Sequence, residues 1–164
     1  MKLKTFIISF CLFLTTMGVY AQERFCIAKE DKAATILVDS SDWKGVILAA
    51  NNLGDDVRKV TDESSKVVFE PVAESTPHII VGTIGKSRYI DKLVKQKKLD
   101  VRKVKGQWES YVIDVVDGNL VIAGSDKRGA IYGIYDISQR IGVSPWYWMA
   151  DAPVVHQDEL YWPV

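Results

Sequence analysis

The chain has 164 residues, and its 21 basic side chains are balanced by 21 acidic ones. A formal net charge of zero, with no clustered basic face, excludes the electrostatic footprint of a nucleic-acid-binding protein. Apolar residues make up 48% of the sequence, as in an ordinary globular domain.

The first 21 residues have the pattern of a signal peptide. Two lysines precede an apolar run at residues 6–14, and Val19 and Ala21 present small side chains at the positions that a signal peptidase reads. The apolar run is too short for a bilayer-spanning helix, which needs about 20 residues. We therefore expect cleavage after Ala21, a periplasmic or secreted location, and no membrane attachment of the mature chain.

The mature chain is expected to be stabilised by packing. Cys26 is the one cysteine left after cleavage at Ala21, so no intrachain disulfide is expected. A chain of about 140 residues buries one core but not two. Residues 22–164 are therefore predicted to form a single domain.

Strands and helices alternate along the first half of this domain. Residues 34–38 form a short β-branched run that predicts a strand. Residues 40–42 offer capping side chains to an amphipathic helix over residues 43–61, where apolar side chains recur every three or four positions. Strands over residues 66–70 and 78–81 follow, and the second is apolar enough to be buried on both faces.

The second half is predicted to hold a hairpin between two helices. Asp-Gly at residues 117–118 joins β-branched runs at residues 109–116 and 120–123, which is a strong hairpin signal. Helices are predicted over residues 87–96 and 127–141. The resulting order, β-α-β-β-α-β-β-α, predicts an α/β fold in which helices pack on a mixed β-sheet.

Residues 79–87 look like a strand that leads into a phosphate-binding loop. Such a loop needs four residues between its first glycine and the Gly-Lys-Ser/Thr, but only Thr83 and Ile84 intervene here. We therefore expect a plain strand-to-helix turn and no nucleotide cofactor.

Other catalytic and metal-binding patterns are weak. His78 and His156 have no ligand spacing to each other or to Cys26, so neither a metal site nor any other cofactor is predicted. The sequence has no Gly-x-Ser-x-Gly elbow. No catalytic residue is assigned to this chain.

The loop Ser125–Arg128 is the first candidate substrate-binding site. It lies between a predicted strand and a predicted helix, where backbone amides at a helix start attract anions such as a uronate carboxylate. Arg128 is able to bind such a carboxylate in a bidentate manner. In the alternative interpretation, Ser125 or Asp126 caps the helix, while Lys127 and Arg128 hold a neighbouring segment or domain.

The aromatic cluster Trp146, Tyr147 and Trp148 is the second candidate. These rings are suited to stacking on sugars, or to filling a seam between two domains. Both interpretations stay open at this stage.

Residues 121–138 and 141–154 closely resemble the N-terminal domain of the xylan alpha-1,2-glucuronidases of glycoside hydrolase family 115. The segments 79–87, 90–93 and 105–110 fit the same pattern. This resemblance implies the hexosaminidase-like α/β domain that precedes a (β/α)₈ barrel in such enzymes.

The resemblance also implies a substrate. Such enzymes remove glucuronic acid or its 4-O-methyl form from glucuronoxylan with inversion, for which one carboxylic acid protonates the leaving oxygen and a carboxylate activates water. These carboxylates belong to the barrel, and no position of this chain matches them. The implied partners are the barrel and, through the full-length enzyme, glucuronoxylan or a glucuronic-acid-decorated xylooligosaccharide.

A barrel needs about 250 residues, and this sequence stops where the family enters it. We therefore expect a fragment, or a domain that survives alone, that is inactive by itself. Two functions are predicted as alternatives. The first is a non-catalytic module of an exported glucuronidase, and the second is a free-standing carbohydrate-binding or scaffolding domain without hydrolase activity.

Overall fold

The computed structural model describes residues 24–72 and 77–163, without the side chain of Trp148. The predicted signal peptide lies outside the described residues. Within them the elements, in chain order, are β1 (Phe25–Lys29), β2 (Lys32–Ala33), β3 (Thr35–Val38), α1 (Lys44–Thr61), β4 (Val67–Val68), β5 (His78–Thr83), α2 (Arg88–Lys95), β6 (Tyr111–Val116), β7 (Asn119–Gly124), α3 (Lys127–Arg140), α4 (Tyr147–Ala150) and β8 (Glu159–Trp162).

The main sheet has the strand order β4-β3-β5-β7-β6. The first four strands are parallel, and β6 pairs antiparallel with β7 through the predicted hairpin. Asp117 and Gly118 both adopt positive φ angles in its turn, 50° and 73°. This is the backbone conformation for which Asp-Gly is selected in tight hairpins. The predicted α/β fold with a mixed sheet is confirmed.

Helices cover both faces of this sheet. Leu120 and Ile122 of β7 belong to the larger core cluster with residues of α1 and α3, whereas Val121 and Ala123 belong to a second cluster with Ile90 of α2. Successive side chains of a strand point to opposite faces. The continuous apolar run of β7 therefore reflects burial on both sides.

The start of α3 is pressed onto the hairpin at two glycines. A Cβ on Gly124 would lie 1.9 Å from the amide nitrogen of Ala130, and a Cβ on Gly129 would lie 2.2 Å from the carbonyl oxygen of Ser110. Both distances are far below contact distance, so only glycine fits at either position. The presence of glycine at residues 124 and 129 is therefore explained by the close packing of α3 on the hairpin.

A second, antiparallel sheet with the order β2-β1-β8 was not predicted. Phe25 pairs with Trp162, so this sheet joins the first and last strands of the described chain. Phe25, Ile27 and Leu160 are buried in the main core. Each such side chain contributes roughly 1.5–3 kcal/mol by leaving water.

Two details of the sequence prediction are wrong. The strand expected over residues 66–70 is reduced to Val67–Val68, an edge strand that pairs with Ile36 and Leu37 of β3. The side chains of residues 40–42 do not cap α1, whose N-cap residue is Trp43 and has no side-chain cap bond. Asp42 instead bonds across the sheet.

Candidate functional site

The carboxyl ends of the parallel strands are where open α/β sheets commonly bind ligands, at the point where the strand order reverses. Here the chain leaves β3 through α1 to reach β4 on one side, and β5 lies on the other side of β3. The crevice between the ends of β3 and β5 is therefore the topological switch point. The residues that line it are those that follow these two strands.

Asp42 fills this crevice. Its carboxylate accepts hydrogen bonds from the amide of Thr83 at 2.8 Å, the hydroxyl of Thr83 at 2.9 Å and the amide of Trp43 at 2.7 Å. The residue is only 6% exposed. These three hydrogen bonds join the ends of β3 and β5, and the side chain of Asp42 occupies the place where a ligand would otherwise sit.

Next to this crevice, Asp39 binds the backbone amide at the start of α2. It accepts hydrogen bonds from the amide and hydroxyl of Ser41, both at 2.9 Å, and from the amide of Arg88 at 2.8 Å. Burial favours the neutral acid, but the bonds from the Ser41 and Arg88 amides outweigh it and lower the pKa of Asp39. The anion that binds this helix start is thus a side chain of the protein itself.

The stretch that resembles a phosphate loop forms a strand-to-helix turn. The amide of Gly85 donates to the carboxylate of Asp91 at 2.8 Å, and the amide of Arg88 donates to Asp39. These are amides of the kind that a phosphate would need. The turn uses them for internal bonds.

The Ser125–Arg128 loop begins α3 at the same edge of the sheet. The carboxylate of Asp126 accepts hydrogen bonds from the amides of Gly129 at 2.7 Å and Glu109 at 2.9 Å. The bonds from Glu109 and then Gly129 lower the pKa of Asp126. Asp126 is thus the N-cap of α3 and fixes it to the segment before β6.

Ser125 and Arg128 also contact the segment before β6. The amide of Ser125 donates to the carbonyl oxygen of Ser110 at 2.8 Å, and the hydroxyl of Ser125 accepts from the amide of Ser110 at 3.1 Å. Arg128 pairs with Glu109 at 2.6 Å, although its side chain is 65% exposed. Lys127 is exposed and forms no ion pair within the described residues. A substrate-binding role for the four residues stays a prediction.

The aromatic cluster lies at the other end of α3. Tyr147 packs against the main core, and Lys59 of α1 lies over its ring at 4.7 Å. Trp146 is 61% exposed, and the side chain of Trp148 is outside the described part. Whether these rings stack on sugar or fill a domain seam stays open.

The structure does not bring the two candidate sites together. Ser125–Arg128 starts α3 and the aromatic residues follow its end. A 14-residue helix is about 21 Å long at 1.5 Å per residue. The loop and the aromatic cluster therefore cannot contact the same sugar ring.

Sequence reasoning missed a cleft of about 490 Å³ between α1, α3 and the segment that leads into α4. Asn52, Asp55, Asp56 and Lys59 come from α1, and Tyr135 and Ser138 come from α3. The remaining lining residues are Val143, Ser144, Pro145 and Tyr147. Their positions are spread over almost a hundred residues, so no local motif marks them.

The polar side chains of this cleft are partly bonded to one another. The side-chain amide of Asn52 donates to the hydroxyl of Tyr135 at 2.8 Å, and Lys59 pairs with Asp56 at 2.7 Å. Ser138 is 3% exposed, and its hydroxyl has no hydrogen-bond partner among the described residues. The hydroxyls of Thr35, Ser65 and Ser87 share this property but do not line this cleft.

The two carboxylates of the cleft are on one wall. Asp55 and Asp56 are neighbours in α1, and α3 presents Tyr135 and Ser138 from the facing wall. Inverting glycosidases need one carboxyl group on each side of the sugar, about 6.5–9.5 Å apart. The two carboxylates of this cleft therefore do not lie on opposite walls, as inverting hydrolysis requires.

The histidines and the cysteine are in separate places. His78 is buried, and its Nε2 accepts a bond from the amide of Val72 at 3.4 Å. His156 is exposed beside Asp62 and Asp158. Across residues 24–72 and 77–163, no three His, Cys, Asp or Glu side chains come together as metal ligands. None of the helices described has both the length and the apolar character to cross a membrane.

Comparison with known proteins gives a match to one sequence family and matches to solved structures. A sequence model described as the N-terminus of glycosyl hydrolase family 67 matches residues 22–137. Among solved structures, the chain is similar to BtGH115A, a family GH115 4-O-methyl-alpha-glucuronidase with specificity for decorated arabinogalactans. The TM-score is 0.69 at 30% sequence identity, over 83% of this chain. A comparison with curated proteins found no match.

These matches confirm the predicted resemblance to the N-terminal domain of an alpha-glucuronidase. The sequence motifs point to family 115, as does the solved structure, whereas the sequence model is that of family 67. This chain spans 17% of the length of the similar enzyme chain.

Proposed function

The chain belongs to the glycosyl hydrolase family 67 N-terminus family, and from this premise we propose that it serves as the non-catalytic N-terminal domain of an exported alpha-glucuronidase. The observation that carries the proposal is the agreement between the family match over residues 22–137 and the 30% identical fold that covers 83% of the chain. The signal-peptide pattern of the first 21 residues supports export to the periplasm or the exterior.

The proposed role of this domain is to support a catalytic domain. The switch-point crevice is closed by Asp42 and Asp39, and the one polar cleft described above has both carboxylates on one wall. At the end of α3, Trp146 and Met149 are 61% and 78% exposed. Large exposed apolar side chains that lie close together are typical of surfaces that contact another domain.

The proposed substrate of the whole enzyme is a glycan that carries glucuronic acid or its 4-O-methyl form. The motifs shared with xylan alpha-1,2-glucuronidases favour glucuronoxylan, and the solved relative acts on decorated arabinogalactans. In this proposal the sugar bond is cut in a (β/α)₈ barrel outside residues 24–163.

A hydrolysis assay tests the non-catalytic role. Purified protein incubated with aldouronic acids is expected to release no glucuronic acid, while BtGH115A assayed on its decorated arabinogalactan serves as the positive control. Clear turnover by this chain would refute the proposal.

A domain exchange tests the supporting role. Residues 24–163 would replace the matching N-terminal domain of BtGH115A, with a deletion of that domain as the control. The chimera is expected to be soluble and to hydrolyse decorated arabinogalactan, whereas the deletion variant is expected to aggregate or lose activity. A chimera no better than the deletion would contradict a supporting role.

A further inference from the structure

Trp108 is the most exposed of the large apolar side chains that the structure describes, at 87%. Tryptophan is a largely buried residue on average, and its indole has two broad apolar faces. The backbone on both sides of it is nevertheless fixed. The amide of Gln107 donates to the carbonyl oxygen of Val104 at 2.9 Å, and the carbonyl oxygen of Trp108 accepts a bond from the hydroxyl of Ser110 at 3.0 Å. The indole is therefore held in water by an ordered turn.

Trp108 ends a lysine-rich segment, residues 95–108, which has six basic side chains and one acidic side chain. Leu99, Val101 and Val104 of this segment are buried in the second core cluster, on the face of the sheet that α2 covers. Because these apolar side chains point inward, the charged ones remain on the outside. All six basic side chains are exposed: Lys95, Lys97, Lys98, Arg102, Lys103 and Lys105.

The lysine-rich segment runs along the hairpin from its turn to its open end. Lys98 pairs with Asp117 of the turn at 2.6 Å. At the other end, the amide of Glu109, directly after Trp108, donates to Asp126 at 2.9 Å. The six-residue strand β6 lies between these points and is about 20 Å long at about 3.4 Å per residue. The exposed side chains from Lys98 to Trp108 are therefore spread over about this distance.

Most of the basic side chains of this segment have no acidic partner. Lys98 is paired with Asp117, and Arg102 is paired with Asp100 at 2.6 Å. Among the residues that the structure describes, no ion pair is formed by the other four, which are Lys95, Lys97, Lys103 and Lys105. A local excess of positive charge attracts an anionic partner.

The composition of the segment distinguishes between classes of anion. Lysine is depleted in interfaces between proteins, so a protein partner is disfavoured. A nucleic-acid-binding domain is basic overall, whereas the formal net charge of this chain is zero. A sugar chain with uronic acid groups has separate carboxylates, which lysines attract as point charges. It also has ring faces of C–H groups, which pack on the apolar face of an indole.

We propose that the lysine-rich segment binds a glycan that carries uronic acid groups, with a sugar ring stacked on Trp108 and carboxylates beside Lys103 and Lys105. The choice of uronic acids over other anions rests on the proposed function, in which the substrate carries glucuronic acid. This surface is on the α2 side of the sheet, whereas the cleft described above lies between α1 and α3. It is an auxiliary surface that holds the acidic chain, while the sugar bond is cut in the catalytic domain.

A matched pair of ligands tests the proposal by isothermal titration calorimetry. One is a xylo-oligosaccharide that carries glucuronic acid, and the other is the same molecule after reduction of its carboxyl groups. We expect the acidic form to bind with a millimolar dissociation constant at low salt, at least about fivefold tighter than the reduced form. The difference should vanish in 1 M sodium chloride, where the Debye length is about 3 Å. No saturable binding, or equal affinities at low salt, would overturn the proposal.

Two tryptophan variants locate the stacking contact. Trp108→Ala is expected to weaken binding of the acidic oligosaccharide about fivefold, because a ring contact is lost. Trp43→Ala is the control, since Trp43 is also exposed and has Lys86 over its ring at 4.6 Å, but it lies outside the segment. Its affinity should equal that of the natural protein. Equal losses in both variants, or no loss in Trp108→Ala, would overturn the assigned contact.

Two double variants with the same change in net charge test the lysines. Lys103→Gln with Lys105→Gln is expected to weaken binding of the acidic oligosaccharide about fivefold at low salt and to leave binding of the reduced form unchanged. Lys44→Gln with Lys66→Gln removes two exposed lysines elsewhere and should have little effect. Equal effects of the two double variants would show that only the overall charge matters, and would overturn the site.

A last comparison separates a glycan from other anions, and this proposal from the proposed function. A glutamate peptide of the same charge has no sugar rings, so it should bind more weakly than the acidic oligosaccharide. Equal binding of this peptide would overturn the choice of a glycan. Failure of the proposed function appears as glucuronic acid released by this chain, or as an inactive chimera. Failure of this surface leaves both of those assays unchanged.

Discussion

The polar groups at the two ends of helix α3 differ in their hydrogen bonding. At its start, Asp126 accepts two backbone bonds and Arg128 pairs with Glu109. Near its other end, Ser138 is buried with no partner among the described residues and faces a cleft. The comparison teaches that the polar groups of one helix can be almost fully bonded within the chain at its start and left without a partner among the described residues near its end, so position at the edge of a sheet does not by itself identify a ligand site.

The largest expected effect comes from breaking the close packing at the start of α3. Gly124→Ala would place a Cβ 1.9 Å from the amide nitrogen of Ala130. We expect the free energy of unfolding to fall by about 3 kcal/mol or more, as in severe overpacking. Urea unfolding followed by circular dichroism measures it.

The control for this variant is Gly45→Ala in α1. The nearest atom to its Cβ is the flexible end of Ile131, at 3.3 Å. Since alanine is a better helix former than glycine, its stability should stay equal or rise by up to about 1 kcal/mol. Similar losses in both variants would contradict the packing argument.

The next effect concerns the closed crevice. Asp42→Ala leaves the amides of Thr83 and Trp43 and the hydroxyl of Thr83 without their acceptor. We expect a loss of about 2–3 kcal/mol in unfolding free energy, because buried donors are left unsatisfied. Asp55→Ala in the open cleft, whose side chain is 60% exposed, should change stability by less than about 0.5 kcal/mol. Equal losses of unfolding free energy in Asp42→Ala and Asp55→Ala would contradict the difference between the closed crevice and the open cleft.

Acid should weaken the start of α3 through Asp126. Its pKa is lowered in the folded protein, so its stabilisation is complete above the unfolded pKa of about 3.9 and is lost as the pH falls through the folded value. Unfolding free energies measured between neutral pH and pH 3 should therefore fall less steeply in Asp126→Asn than in the natural protein. If the unfolding free energies of the two proteins fell equally with pH, Asp126 would not be the cause of the acid sensitivity.

The smallest expected effect is that of Arg128→Ala. Its ion pair with Glu109 is largely exposed, and such pairs contribute about 0.2–1 kcal/mol. A double-mutant cycle with Glu109→Ala measures the coupling energy directly. A coupling energy well above about 1 kcal/mol would contradict this expectation and show that the pair is a major contact between α3 and the segment before β6.

Most of the main sheet could be predicted from sequence, because its signals are local. The Asp117-Gly118 turn fixes the hairpin, and the spacing of apolar residues fixes α1 to within one residue at its start. The capping prediction for residues 40–42 failed for a non-local reason. Asp42 bonds to Thr83, which is distant in sequence but adjacent across the sheet.

The small sheet and the cleft could not be predicted, for the same physical reason. β1 is a short run that pairs with the two-residue strand β2 and, from the far end of the chain, with β8. The cleft forms because α1 and α3 lie side by side, so Asn52 meets Tyr135. Neither pairing leaves a periodic trace in the sequence.

The pairing of β1 with β8 has a consequence for how the protein is made. Phe25 and Ile27 emerge from the ribosome early, but Leu160, which shares their core, emerges among the last residues described. Closing so long a loop is entropically costly, so we expect this pairing to form late in folding. Until then the early hydrophobic strand is uncovered, and it is the segment of a nascent chain on which a chaperone would be most useful.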